Sequence, residues 1–303
     1  MKTAKPTLHK FHTFALLALA VCAGGGHAAA PQGEPDGIPV TRMSRMRVFS
    51  DPQQFEQQSK LQYTQLLSEA QQKQALVAAN HPQVLRLRAI AKRLIPYATR
   101  WNPEAARWQW EVNLLNSKQV NAFCMPGGRI AFFSGILTQL NLTDDEVAIV
   151  MGHEIGHALR EHGRERAAKS EATNLVGKLA GAGLSAWLGV DPRLTGAATN
   201  AAAQLTVLHF SREEETEADM VGLDLAARAG YDPRAGIALW QKMGAVSQGQ
   251  GQPLPFLSTH PSGDSRIAEM NKNMSLVLPV YARAKGVKPD ALPAYRSSAI
   301  ATR

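Results

Sequence analysis

The string His153-Glu154-Ile155-Gly156-His157 holds the residue types and spacing in this chain that can do chemistry on their own. Two histidines four apart on a helix lie one turn above each other on the same face, so both imidazoles can reach one metal ion. A glutamate next to the first histidine can approach a water on that metal. Zinc lowers the pKa of such a water to about 7, and a carboxylate can take its proton during attack on a peptide carbonyl and return it to the leaving amine. Three fixed positions arise by chance in about one ordinary chain in a hundred, so the surroundings must decide. Here Thr143 and Glu146 form a capping box ahead of Val147, Ile149 and Val150, which predicts a helix starting at Thr143 and an apolar setting for the motif. A pair of purely structural core histidines is the bland alternative, and such a segment would be an expensive place for one.

A catalytic zinc takes a third protein ligand and leaves one position open. The place to look is a second helix with acids facing inward, and Ser211 to Gly222 reads SREEETEADMVG. On that helix Glu215, Ala218, Asp219, Gly222 and Leu225 share a stripe, whereas Glu213, Glu214 and Glu217 point elsewhere. An acidic helix start that favours the helix dipole explains Glu213 and Glu214 but not Asp219.

With these residues in hand, the chain resembles the zinc metallopeptidases typified by HtpX and the CaaX prenyl protease, particularly their small exported bacterial members. The resemblance covers about residues 80 to 275. It rests on four strings in order: NAFCMPGGRI from Asn121, VAIVMGHEIGHALREH from Val147, SREEETEADMVGL from Ser211 and FLSTHPSGDSRI from Phe256. It implies a zincin-like, gluzincin-type domain with an active-site helix and one Zn2+ per chain. His153, His157 and Glu215 would be its ligands, Glu154 the general base, and Asp219 a partner orienting a histidine. It also implies that the strand at 129 to 133, with Arg129, Ile130, Ala131 and Phe132, pairs along its edge with an extended substrate backbone, helped by Asn121. The loop carrying His260 would lie over the cleft, where this histidine either stabilises the oxyanion or plugs the open zinc position. A loop histidine before Pro261 with neither role is the plain alternative. Arg212 and Arg266 are candidate internal charge partners.

Other candidates are weaker. Continuing the helix by five residues from His157 rotates His162 about 140° away, so it is expected on the surface, as are His81 and His209. Cys124 has no accompanying Cys-His signature and suits a small buried hydrophobe on a strand.

The elements that must position these residues read as α+β, mainly helical, with one small sheet. A long Gln-rich helix is predicted from Pro52 to about Ala79 and a second from Pro82 to near Pro96. Alternation of Trp108, Trp110, Val112 and Leu114 predicts a strand, and residues 119 to 124 and 129 to 133 predict two more around Pro126-Gly127-Gly128. Further helices are expected near Gly135 and over 204–229, 233–246 and 264–273, with a loop from 247 to 263. Residues 175 to 190 are apolar, but Lys178 and several glycines favour a packed helical hairpin over a membrane span. The organisation expected is a leader at 1–28, a linker or arm at 29–50, an N-terminal helix at 51–80, the peptidase domain at 81–280 and a tail at 281–303.

The leader is read from Lys2, Lys5 and Lys10, the apolar run Phe11 to Cys22, and the small residues to Ala28: a secretory signal predicting export to a bacterial periplasm, with no membrane span once cleaved. Lipidation at Cys22 is disfavoured because Val21 precedes it. After cleavage only Cys124 remains, so no internal disulfide is expected. The net charge of +8 is modest for 303 residues, and acidic and basic residues are interleaved, which argues against a nucleic-acid partner. Unfolded or extended polypeptides are the expected substrates, with envelope or outer-membrane assembly components as possible associates. Two rival functions use the same cleft: a latent protease acting as chaperone or adaptor, and a hydrolase of small amides. An intact Glu154 favours an enzyme over the adaptor, and the β-edge substrate site that the resemblance implies argues against small amides.

Overall fold

A computed structural model describes residues 36–172, 210–250, 254–261 and 263–299. The expected leader with Cys22, the expected hairpin at 175–190 and His209 lie outside the described residues. The rest is mainly helical with one small sheet, the α+β architecture expected.

Helix α1 (Pro52–Gln72) is capped by Asp51, whose side chain accepts from the amides of Gln53 and Gln54. It ends earlier than predicted: Gln74 takes a positive φ of 55°, and Leu76 then forms an antiparallel bridge to Leu115. Helix α2 (Pro82–Leu94) gives way to a 3-10 turn over Ile95–Arg100. Three strands follow, β1 (Glu111–Leu115), β2 (Ala122–Met125) and β3 (Arg129–Phe133). Gly127 and Gly128 both sit at φ 82°, a turn that side chains with a Cβ rarely adopt, and this fits the hairpin between β2 and β3.

The sheet order is β1-β3-β2, with β1 parallel and β2 antiparallel to β3. This overturns one expectation. Arg129, Ile130, Ala131 and Phe132 lie on the central strand, whose backbone is engaged on both sides, so β3 has no free edge for a substrate. The strand next to the motif helix is β2, an edge strand. Sequence could not rank them because both are short, apolar and buried.

Side chains of β3 alternate between two cores. Ile130 and Phe132 join the main core, whereas Ala131 and Phe133 pack with Tyr63, Leu66 and Ala70 of α1. The Tyr63 hydroxyl donates to the carbonyl of Ile130 at 2.7 Å. Helix α1 is thus a cover for one face of the sheet.

After α3 (Ser134–Gln139), the motif helix α4 (Asp144–Leu159) begins with the predicted capping box of Thr143 and Glu146, and every residue from Glu146 to Leu159 is buried. Buried Glu146 also takes a 2.7 Å ion pair from Lys242 and a hydrogen bond from Ser297. The expected tail therefore includes residues that brace the start of α4. Helix α4 ends at Arg160 as C-cap, Glu161 adopts φ 58°, and the chain turns into α5 (His162–Ala172).

Helix α6 (Arg212–Arg228) starts from a second capping box, Ser211 with Glu214. It crosses α4 through small residues: a Cβ on Gly152 would meet the Cα of Gly222 at 3.0 Å, and one on Gly156 would meet the carbonyl of Ala218 at 3.0 Å. Helix α7 (Ala235–Gln250) follows, then a short helix α8 (Pro255–Thr259) within the segment expected as loop, and α9 (Asp264–Ala284), roughly twice the predicted length. The arm is held down from Asp36 on: Ile38 N–H donates to Asp224 at 3.2 Å, and Arg100 donates to the Ile38 carbonyl at 3.0 Å. Among the described residues no helix is long and apolar enough to cross a membrane.

Gly222→Ala is expected to destabilise the protein by about 1–3 kcal/mol, as overpacking does, because the new methyl would lie 2.9 Å from the backbone nitrogen of His153. Gly244→Ala, where a Cβ meets nothing within 4 Å, should be neutral or stabilise by up to about 1 kcal/mol. Urea denaturation of the two variants checks the contrast.

Candidate metal centre

The α4–α6 crossing brings the motif histidines and the acidic stripe together. His153 Nε2 and His157 Nε2 are 3.1 Å apart. Glu215 Oε2 is 3.6 Å from His153 Nε2, and its Oε1 is 3.5 Å from His157 Nε2. His260, at the end of α8, places Nδ1 2.9 Å from Glu215 Oε1 and 3.3 Å from His153 Nε2. One ligand atom from each of the four residues lies within 4.8 Å of all the others, and all four side chains are buried. A tetrahedral ion with ligands at about 2.0–2.1 Å has ligand–ligand edges of about 3.3 Å, and the separations of 2.9–3.6 Å above straddle that value.

The protonation pattern agrees. Arg266 binds Asp219 through both oxygens at 2.6 Å, and Asp219 Oδ1 lies 2.9 Å from His153 Nδ1. A carboxylate only accepts, so His153 Nδ1 carries the proton and its Nε2 presents a lone pair to the cluster. Three carboxylates, Glu154, Glu215 and Asp219, face one guanidinium, Arg266, which also reaches Glu215 Oε2 at 2.6 Å and stacks 3.7 Å over the Trp240 ring. Donor set and spacing fit zinc.

Electrostatics separate the acids. Burial pushes the Glu154 carboxyl up to about 8, with Glu215 adding to the rise against the opposing pull of His260. Its Oε1 is buried and accepts no hydrogen bond, the nearest cationic candidate being His260 Nε2 at 3.7 Å. Burial also acts to raise Glu215, but the imidazoles of His260 and His157 outweigh it and hold this carboxyl well below the ordinary range. Burial lowers His153 and drives His157 well below its usual value. One acid thus favours the proton-accepting role near neutrality and the other stays an anion.

Beside Glu154 is a cavity of about 10 Å3, bounded by Ala122 and Cys124 of β2, by His157, and by Phe210, Thr259 and His260. That holds no more than about one water. Asn121 accepts from the Ala122 amide at 3.0 Å, and the Phe256 amide donates to the Val120 carbonyl at 3.1 Å, so part of the β2 edge is already occupied. Cys124 is buried as expected, and burial raises its thiol. Arg212 is exposed and Arg266 is the internal partner.

One residue defeats its expectation. His162 is 1 % exposed, with Nδ1 2.9 Å from His157 Nδ1 and Nε2 2.9 Å from Glu217 Oε2. The rotation that placed it on the surface assumed a continuous helix, whereas the chain reverses at Glu161. A capping reading of Arg160-Glu161 would have been the only signal.

Fold and site together define a metallopeptidase domain, and the comparisons with known proteins agree. The sequence profile described as "Peptidase family M48" matches residues 80–274, and the chain belongs to that family. It is 32% identical over 198 residues to the mitochondrial metalloendopeptidase OMA1 of Schizosaccharomyces pombe, covering 65% of this chain and 55% of that protein. Identity to the Danio rerio metalloendopeptidase OMA1 is 32% over 260 residues, covering 82% and 52% of the two chains. Identity to the β-barrel assembly-enhancing protease of Yersinia pestis is 29% over 182 residues, covering 59% and 37%. The aligned part is thus about half or less of each relative's length. These names differ from the HtpX and CaaX types to which the sequence motifs pointed within the same kind of enzyme.

The Glu154 shift yields a stability test. Its folded pKa lies above the ordinary carboxylate value, so its contribution is fully present below that value and is lost as pH rises through about 8. In urea melts of metal-free protein, wild type should lose more stability than Glu154→Gln between about pH 5 and pH 9. Parallel losses would refute the raised carboxyl.

Proposed function

We propose that this chain is a zinc-dependent endopeptidase of the bacterial envelope, exported to the periplasm, which cleaves unfolded or locally extended polypeptides. The observation that carries the hydrolytic part is the convergence of His153 Nε2, His157 Nε2 and Glu215 Oε1/Oε2 beside the unpartnered oxygen of Glu154. In this reading His153, His157 and Glu215 hold the ion and Asp219, clamped by Arg266, orients His153. Bound zinc supplies Lewis acidity, lowering the pKa of a water to about 7 and polarising the scissile carbonyl. Glu154 accepts the water's proton and delivers it to the leaving amine.

The substrate backbone lies along β2 instead of the central strand, because Ala122 and Cys124 line the cavity next to Glu154. Backbone pairing there gives affinity with little demand on sequence. The order of lysines, apolar run and small residues in 1–28 supports export, and the likeness to proteases named for enhancing β-barrel assembly supports an envelope role that includes association with outer-membrane assembly components.

His260 acts as a plug in the resting protein. Its ring lies between Phe210 and Phe256, with centroids at 5.2 and 4.6 Å, and its Nδ1 takes a position among the ligand atoms. A cavity of about 10 Å3 is far smaller than a peptide, and in this reading α8 shifts for turnover.

Purified protein should contain about one zinc per chain. His157→Ala and Glu215→Gln should lose most of it, whereas Glu154→Gln keeps the metal and loses casein hydrolysis. Equal zinc in wild type and His157→Ala would sink the assignment. His260→Ala should raise basal cleavage; a fall of about 100- to 1,000-fold with zinc retained would make it an oxyanion donor instead.

A further inference from the structure

We propose that the N-terminal arm and α5 take part in the metal centre through a hydrogen-bonded chain that runs from Thr41 and Arg160 to Glu217, then to His162, then to His157. His162 is a positioning residue: it fixes the tautomer and ring direction of a metal ligand. This rests on the assignment of His157 as a ligand.

The direction of each bond follows from the one before it. Glu217 Oε1 receives the Thr41 hydroxyl at 2.7 Å and lies 2.7 Å from Arg160 Nη2. The same Arg160 nitrogen donates to the Thr41 carbonyl at 3.1 Å, so arm and carboxylate are gripped by one guanidinium that is itself buried. With Oε1 filled by two donors, Oε2 faces His162 Nε2 at 2.9 Å. A carboxylate accepts only, so His162 carries a proton on Nε2, and in the neutral ring its Nδ1 is then a bare acceptor. His157 Nδ1, 2.9 Å away, must then be the donor. That leaves His157 Nε2 with its lone pair directed at His153 Nε2, Glu215 and the space where an ion would be held. Phe210 stacks on the His157 ring with centroids 3.9 Å apart and planes at 29°, which restrains the one rotation the hydrogen bond leaves free.

The two motif histidines are therefore oriented by different means. His153 donates straight to Asp219, while His157 reaches its carboxylate through an intervening imidazole. Glu217 sits two residues from each of Glu215 and Asp219 yet points to the opposite side of α6, towards the arm. The role also explains why a histidine is 1 % exposed with both ring nitrogens engaged in line.

Three variants test the chain: His162→Leu, which removes the acceptor; His162→Asn, whose side-chain oxygen falls where Nδ1 was; and Glu217→Gln, which can offer only one acceptor where two are used. Zinc affinity is read by chelator competition, with circular dichroism and melting of the metal-free proteins alongside. His162→Leu should bind zinc about 10- to 100-fold more weakly, as losses of ligand-orienting partners do. Glu217→Gln should weaken binding in the same sense, and His162→Asn should recover most of the affinity. Nitrogen-15 spectra of zinc-loaded wild type should show His162 protonated on Nε2 and bare on Nδ1. Wild-type affinity in a folded His162→Leu, equal weakness of His162→Asn and His162→Leu, or a proton on His162 Nδ1 would each overturn the inference. If His162→Leu does not fold, the spectra and Glu217→Gln still decide. A wild-type protein that binds no zinc would overturn the metal-site reading itself.

Discussion

The close crossing of α4 and α6 is the contact on which the rest of the site depends. Gly152 and Gly156 on one helix meet Gly222 and Ala218 on the other so tightly that added Cβ atoms would lie about 3 Å from backbone. At that separation, side chains only one turn from the crossing overlap in space. His153 and His157 project from α4 into the path of Glu215 and Asp219 from α6, and ligand atoms 3.1–3.6 Å apart result. Leucine-sized residues at the crossing would hold the axes at the usual 8–10 Å or more and leave the carboxylates short of the imidazoles. Small residues between two capped, buried helices thus do the work of a cofactor cradle.

The same proximity creates an electrostatic problem that shapes the surroundings. Several ionisable groups lie buried within one cluster, and burial disfavours charge on each. Arg266 answers part of it by clamping Asp219 and reaching Glu215 while its flat face rests on Trp240. Glu154 is left without a donor and stays largely protonated near neutrality in the absence of a cation. An ion bound at this point satisfies the remaining acceptors, so metal binding and the cohesion of the core are coupled. The rings of Phe210 and Phe256 limit how His157 and His260 can turn.

Much of this was legible in the sequence because it depends on local rules. Both capping boxes, at Thr143 and Ser211, were readable from residue type and spacing, and they set the phase of α4 and α6. Phase then determines which residues share a face, so His153 with His157 and Glu215 with Asp219 followed. The family resemblance implied that His260 lies near the cleft, and the burial of Cys124 followed from its apolar strand. Helix ends were read less well. Helix α1 stops at a left-handed Gln74, and α9 runs through Pro279 to Ala284, because tertiary packing outweighed local propensity in both cases.

The sequence by itself determined the helix faces, the candidate donors they present and the chemistry those residue types imply. Only the tertiary structure decided which strand is the edge and which histidine supports His157. Strand order depends on pairing between segments distant in the chain, and β2 and β3 are equally apolar, so nothing local distinguishes edge from centre. The place of His162 hinges on one residue, Glu161, leaving helical φ and turning the chain back; the pitch of α4 points the other way. Thr41 reaches Glu217 across 176 positions, and no periodicity carries information over that distance. Local sequence sets what each element presents, but long-range packing sets what each element meets.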